Sequence, residues 1–67
     1  PSDNEMLLLY ALYKQTTVGN NYTDSPGLLN FKDNAKWNAW HNQRGKRKTD
    51  ARLEYITLVD NLMSKYS

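Results

Sequence analysis

Three side chains near the amino end of this sequence have types and spacing suited to an anionic ligand: Tyr10, Tyr13 and Lys14. At helical spacing they fall three and four residues apart and so share one end of a helix face. Lys32 and Lys36 repeat the four-residue interval further on, and Tyr55 lies midway along the last third of the chain. Ammonium groups beside phenol hydroxyls suit a compact polyphosphate. Lysine acts on phosphate as a point charge, a tyrosine hydroxyl adds a hydrogen bond, and a flat ring can stack on a purine. The competing reading makes the tyrosines core and the lysines a solvated face. Lys14 argues against it, because it borders the aromatic face instead of lying opposite.

Other constellations carry less chemistry. The seven acids are Asp3, Glu5, Asp24, Asp33, Asp50, Glu54 and Asp60. Each falls in a first helical turn, on a solvent face or in a loop, and none pairs suggestively with the single histidine, His41. General acid–base catalysis needs titratable pairs whose environments push their pKa values apart, so the expectation is that the protein is not an enzyme. The absence of cysteine excludes a disulfide framework and a thiolate metal site, and one histidine cannot build an imidazole metal cluster. Trp37 and Trp40, three apart, read as core. The basic run Arg44-Gly45-Lys46-Arg47-Lys48 could contact a nucleic-acid backbone or an interaction partner. Against this, the basic cluster lies in the turn between helices and the following helix presents a largely acidic and neutral outer face, where a recognition helix needs Arg, Lys, Asn or Gln toward base edges.

These residues need elements to hold them. Ser2 and Glu5 have the spacing of a capping box, so a first helix is predicted over about 2–18, with Gly19 as its stop. Its Leu8 and Leu12 fall on one side, and Met6, Tyr10, Tyr13 and Thr17 on another. A helix apolar nearly all round needs cover on two sides. Residues 19–31 form a long connection containing the turn signal Pro26-Gly27, and a loop of that length in so short a chain points to function. A second helix is predicted over about 33–44, ending at Gly45. A third is predicted over about 48–65, with Ala51, Tyr55, Leu58, Val59, Leu62, Met63 and Tyr66 on one broad side. The fold class is an all-α bundle.

Sixty-seven residues allow one domain, 1–67, of marginal stability. The net charge of +2 is too mild to select a partner by itself. No apolar run reaches the ~20 residues of a membrane span and no signal sequence opens the chain, so a cytoplasmic protein without stable membrane insertion is expected. The opening Pro1-Ser2-Asp3-Asn4 lacks an initiator methionine, as in a processed or truncated chain.

The run Leu9-Tyr10-Ala11-Leu12-Tyr13-Lys14-Gln15-Thr16-Thr17-Val18-Gly19 resembles the signature of the acyl-CoA-binding protein family. The likeness continues through Pro26-Gly27, Phe31-Lys32, Ala35-Lys36-Trp37, Ala39-Trp40, Gly45, Ala51, Tyr55-Ile56 and Lys65-Tyr66, without a gap from Pro1 to Ser67. The resemblance implies an up-down-down-up four-helix bundle that binds, buffers and transports medium- and long-chain fatty acyl-CoA without covalent chemistry or cofactor. It implies that Tyr10, Lys14 and Lys36 hold the 3′-phosphate. Tyr13 and Tyr55 surround the adenine and ribose, Lys32 contacts the ligand, and Met6 and Leu7 line the acyl path. The family has a further amphipathic helix ahead of the position of Pro1, absent from this sequence. Its loss is expected to leave apolar surface through which the chain could self-associate. Arg47 stands where the family commonly has a Ser or Thr helix cap, and Thr49 offers an alternative start two residues later.

Overall fold

A computed structural model describes residues 1–67 and contains three helices and no strand: α1 (Asp3–Thr17), α2 (Phe31–His41) and α3 (Lys48–Tyr66). α1 packs against both α2 and α3, which make no helix–helix contact with each other. The result is a slab of 37 × 25 × 13 Å with α1 as the shared element.

The start of α1 is as the sequence predicts. Ser2, with extended backbone, accepts from the Glu5 amide through its hydroxyl, and the Glu5 carboxylate accepts from the Ser2 amide at 2.7 Å. These reciprocal bonds satisfy two of the orphan N–H groups of the first turn. At the other end, the amides of Val18 and Gly19 both donate to the Lys14 carbonyl. Gly19 then takes φ +97°, a conformation that an L side chain rarely adopts.

α2 differs from expectation at its start, whereas α3 begins where the sequence places it. α2 begins at Phe31, two residues before the predicted Asp33, and its last turn gives way to tighter turns after His41. Asn30, its N-cap, makes no capping bond through its side chain; it donates instead to the Asp33 carboxylate at 2.7 Å. α3 starts at Lys48 behind an extended Arg47 that supplies no cap, so Thr49 does not take over as the start. Arg47 serves the first turn by pairing with Asp50 at 3.1 Å.

The buried apolar core is small: Ala11, Leu12, Trp40, Ala51 and Leu62. Ala11 and Ala51 have no exposed surface at all, and with side chains ending at Cβ they let neighbouring backbone approach closely. Of the two tryptophans expected in the core, Trp40 is there and Trp37 is half-buried, stacked on His41 with centroids 4.5 Å apart. Likewise Leu62 of the predicted apolar side of α3 is buried, Tyr55, Leu58 and Val59 are half-buried, and Met63 and Tyr66 are exposed.

Polar contacts supplement this core. Gln15, fully buried, donates to the Asn20 side chain (2.9 Å) and to the Lys46 carbonyl (2.7 Å), and the Gly45 amide donates to the same Asn20 oxygen. Trp40 donates through its indole N–H to the Gly19 carbonyl at 2.8 Å. Together these tie the end of α1 to α2 and to the turn before α3.

Candidate ligand-binding cleft

A hollow of about 770 Å³ lies between α1 and the start of α2 and is lined by Asp3, Met6, Leu7, Tyr10, Phe31, Lys32, Ala35 and Lys36. That volume falls within the range of small-molecule sites. Helical spacing explains the lining. Asp3, Met6, Leu7 and Tyr10 recur at three- and four-residue steps on α1, and Phe31–Ala35 and Lys32–Lys36 are four-residue pairs on α2. One wall is mostly apolar, and the two lysines of α2 stand on the other.

Five of the eight sequence-predicted site residues line this cleft: Met6, Leu7, Tyr10, Lys32 and Lys36. The other three sit on adjoining surface. Tyr13 and Tyr55 face each other across α1 and α3, with ring centroids 6.4 Å apart and tilted by 51°. Lys14 holds its ammonium 4.7 Å from the centre of the Trp40 ring. Lys36 does the same over Tyr10 at 4.8 Å, so both lysines have an aromatic partner and neither has a carboxylate within ion-pair distance. A ring face supports an ammonium by only ~0.5–1 kcal/mol at an exposed site. That is enough to orient the lysine and too little to withhold it from a phosphate.

Phe31, Ala35 and Asp3 line the cleft without having been singled out as site residues. The signal was present, since Phe31–Ala35 repeats the four-residue interval of Lys32–Lys36. Placing the start of α2 at Asp33 leaves Phe31 in the loop and hides the pairing.

The basic 44–48 run is largely spoken for. Lys46 bonds to Glu54 (2.9 Å) and to the Gln43 side chain, Arg47 pairs with Asp50, and Arg44 donates to the His41 carbonyl. Away from the cleft, Glu5 is the most perturbed acid. Its carboxylate accepts from the Tyr66 hydroxyl (2.7 Å), the Ser2 amide and the Lys65 ammonium (2.9 Å). In that order, these bonds lower its pKa to about 2 and the pairing raises that of Lys65.

Comparison with known proteins agrees with this architecture. The sequence profile of the family described as Acyl CoA binding protein matches residues 1–59. The chain belongs to the acyl-CoA-binding protein family. The acyl-CoA-binding protein of Saccharomyces cerevisiae is 58% identical over 67 residues, which cover 100% of this chain and 77% of that protein. The acyl-CoA-binding protein homolog of Drosophila melanogaster is 55% identical over 67 residues, covering 100% and 78%. Among solved structures, the crystal structure of Oryza sativa acyl-CoA-binding protein 2 superposes with a TM-score of 0.94 at 48% identity, over 97% of this chain and 72% of that one. The all-helical fold is therefore that of acyl-CoA-binding proteins, with three helices here where a four-helix bundle is expected from the resemblance. Proteins of this family are binding proteins, and nothing in these likenesses supports the nucleic-acid reading of the 44–48 turn.

Proposed function

We propose that this protein binds medium- and long-chain fatty acyl-CoA esters reversibly, buffering and carrying them in the cytoplasm. The observation that supports this best is the composition of the α1–α2 cleft: Met6, Leu7 and Phe31 beside Lys32 and Lys36, with Tyr10 between. The ligand has the same two-part chemistry, an apolar tail joined to a polyanionic head.

In this reading Lys36 and Lys14 leave the rings of Tyr10 and Trp40 to meet the 3′-phosphate, and the Tyr10 hydroxyl donates a hydrogen bond to it. A charge-assisted bond contributes about 1.5–3 kcal/mol, more than the ring contact it replaces. Tyr13 and Tyr55 offer flat surface to the adenine and ribose, and Lys32 contacts the rest of the head group. The acyl chain lies along Met6 and Leu7, gaining ~0.8 kcal/mol per CH₂ removed from water. No covalent step is required, and no side chain is assigned a catalytic role.

Calorimetric titration of palmitoyl-CoA, octanoyl-CoA and free palmitate tests the reading. Palmitoyl-CoA should bind more tightly than octanoyl-CoA, and palmitate far more weakly than its CoA ester. Equal binding of palmitate and palmitoyl-CoA would remove the head-group lysines from the site.

A further inference from the structure

The turn that leads into α2 carries two large apolar side chains in solvent. The Asn30 amide donates to the Gly27 carbonyl at 3.0 Å, closing a β-turn with Leu28 and Leu29 at its two central positions. Those positions normally carry Gly, Asn, Asp, Ser or Pro, whose backbone preferences or short polar side chains suit the bend. Leucine offers neither, and here it has no packing role: Leu28 is 89% exposed and Leu29 94%, with Phe31 beside them at 79%. Two large apolar side chains left in solvent on a surface turn are expected where function demands them.

The turn is held firmly in place. The Asn34 side chain donates to the Gly27 carbonyl at 2.6 Å and accepts from the Ser25 hydroxyl, while the Asn30 side chain donates to Asp33. The apolar tip is therefore presented by a braced loop, with little ordering left to lose on contact. It consists of three side chains, too little for a protein–protein interface, which needs about 800 Å² from each partner. A bilayer surface suits it, because a few apolar side chains can enter the headgroup region without a complementary pocket. Lys32 and Lys36 follow directly on the same helix, both exposed, and Phe31 and Lys32 also line the α1–α2 cleft.

We infer that Leu28, Leu29 and Phe31 form a docking tip for phospholipid bilayers, assisted by Lys32 where the lipid is anionic. The tip would set the mouth of the cleft against the membrane, so that an acyl chain could pass between lipid and protein with little exposure to water. This last consequence rests on the acyl-CoA reading; docking itself does not.

The experiment is co-sedimentation of the full chain, without acyl-CoA, with large unilamellar vesicles. One set is phosphatidylcholine alone, and the other adds phosphatidylserine at about one lipid in three to supply a negative surface. The wild-type chain should partition reversibly onto both, more onto the anionic set, with a component that survives raised salt. Leu28→Ser/Leu29→Ser should lower partitioning at least about tenfold on both, equivalent to about 1.4 kcal/mol. Neither leucine lines the cleft, so the affinity of this variant for palmitoyl-CoA in vesicle-free buffer should stay within about twofold of wild type. The inference is overturned if the wild-type chain ignores both vesicle sets, or if the double variant partitions as well as wild type, which would reduce the effect to adsorption of lysines. It is overturned equally if sedimentation equilibrium shows a wild-type dimer that the variant lacks, since the tip would then bind a second copy. Each of these results leaves the palmitoyl-CoA titration to be judged separately.

Discussion

Replacing Lys36 by methionine keeps most of the side-chain stem and removes the charge. Lys36 is exposed and makes no ion pair, so the substitution should change folding stability by no more than about 0.5 kcal/mol. Its effect on binding can be estimated. A unit charge 4 Å from another gains about 4 kcal/mol at an effective dielectric of 20. Removing water from both partners offsets much of this, leaving about 1.5–3 kcal/mol for a charge-assisted hydrogen bond. The free protein gives up its contact between Lys36 and the Tyr10 ring, seen at 4.8 Å and worth ~0.5–1 kcal/mol. The net is about 1–2 kcal/mol, or five- to thirtyfold weaker binding of palmitoyl-CoA. The decisive assay is a cycle, titrating wild type and Lys36→Met with palmitoyl-CoA and with its 3′-dephospho analogue. If Lys36 meets the 3′-phosphate, the two deletions overlap, and the coupling energy should be at least about 1 kcal/mol. Losses that simply add, within about 0.3–0.5 kcal/mol, would refute the assignment even if the single variant binds poorly.

Three further outcomes follow from the structure. The pKa of Glu5, held at about 2, lies below the ordinary carboxylate value of ~4.3. Its contribution to stability is therefore complete above about pH 4.3 and is lost as pH falls toward 2. Denaturant melts at successive pH values should show Glu5→Gln losing its disadvantage over that window, and a constant difference would contradict the bonding to Tyr66, Ser2 and Lys65. Gly19→Ala forces an L side chain to φ +97°, with its Cβ 3.3 Å from the Lys48 Cε, and should cost about 1–3 kcal/mol by chemical denaturation. Gln15→Leu strands the Lys46 carbonyl and leaves the Asn20 oxygen with the Gly45 amide alone, and should cost about 1–3 kcal/mol in the same assay.

What the sequence discloses depends on how local the cause is. The Ser2–Glu5 box and the Gly19 stop act within one helical turn, and both are in place. The start of α2 is not legible in the sequence because Asn30 spends its side chain on Asp33 and offers no cap bond, leaving no marker at Phe31. Trp37 and Trp40 look equivalent along the chain, yet only Trp40 turns toward Gly19 and the interior. Five of the eight site residues gather in the cleft because two helices with four-residue repeats meet there, and the repeats are visible in one dimension. Residue type and spacing marked Tyr13, Lys14 and Tyr55 as candidates for an anionic ligand, and the family resemblance added the part of the ligand each would meet. The junction of Glu5 with Lys65 and Tyr66 spans 60 and 61 residues, and no short-range pattern announces it.

The position of α1 between two helices that do not touch has a consequence for the order in which the chain assembles. Closing the contact from Tyr10 to Lys36 loops out far less chain than closing the one from Glu5 to Lys65, which spans 60 residues. Closure entropy grows with the logarithm of loop length, making the longer closure costlier by about 0.7 kcal/mol. The α1–α2 hairpin that walls the cleft should therefore form ahead of α3 docking. Stopped-flow φ-values would show this as higher values at Tyr10 and Ala35 than at Leu62.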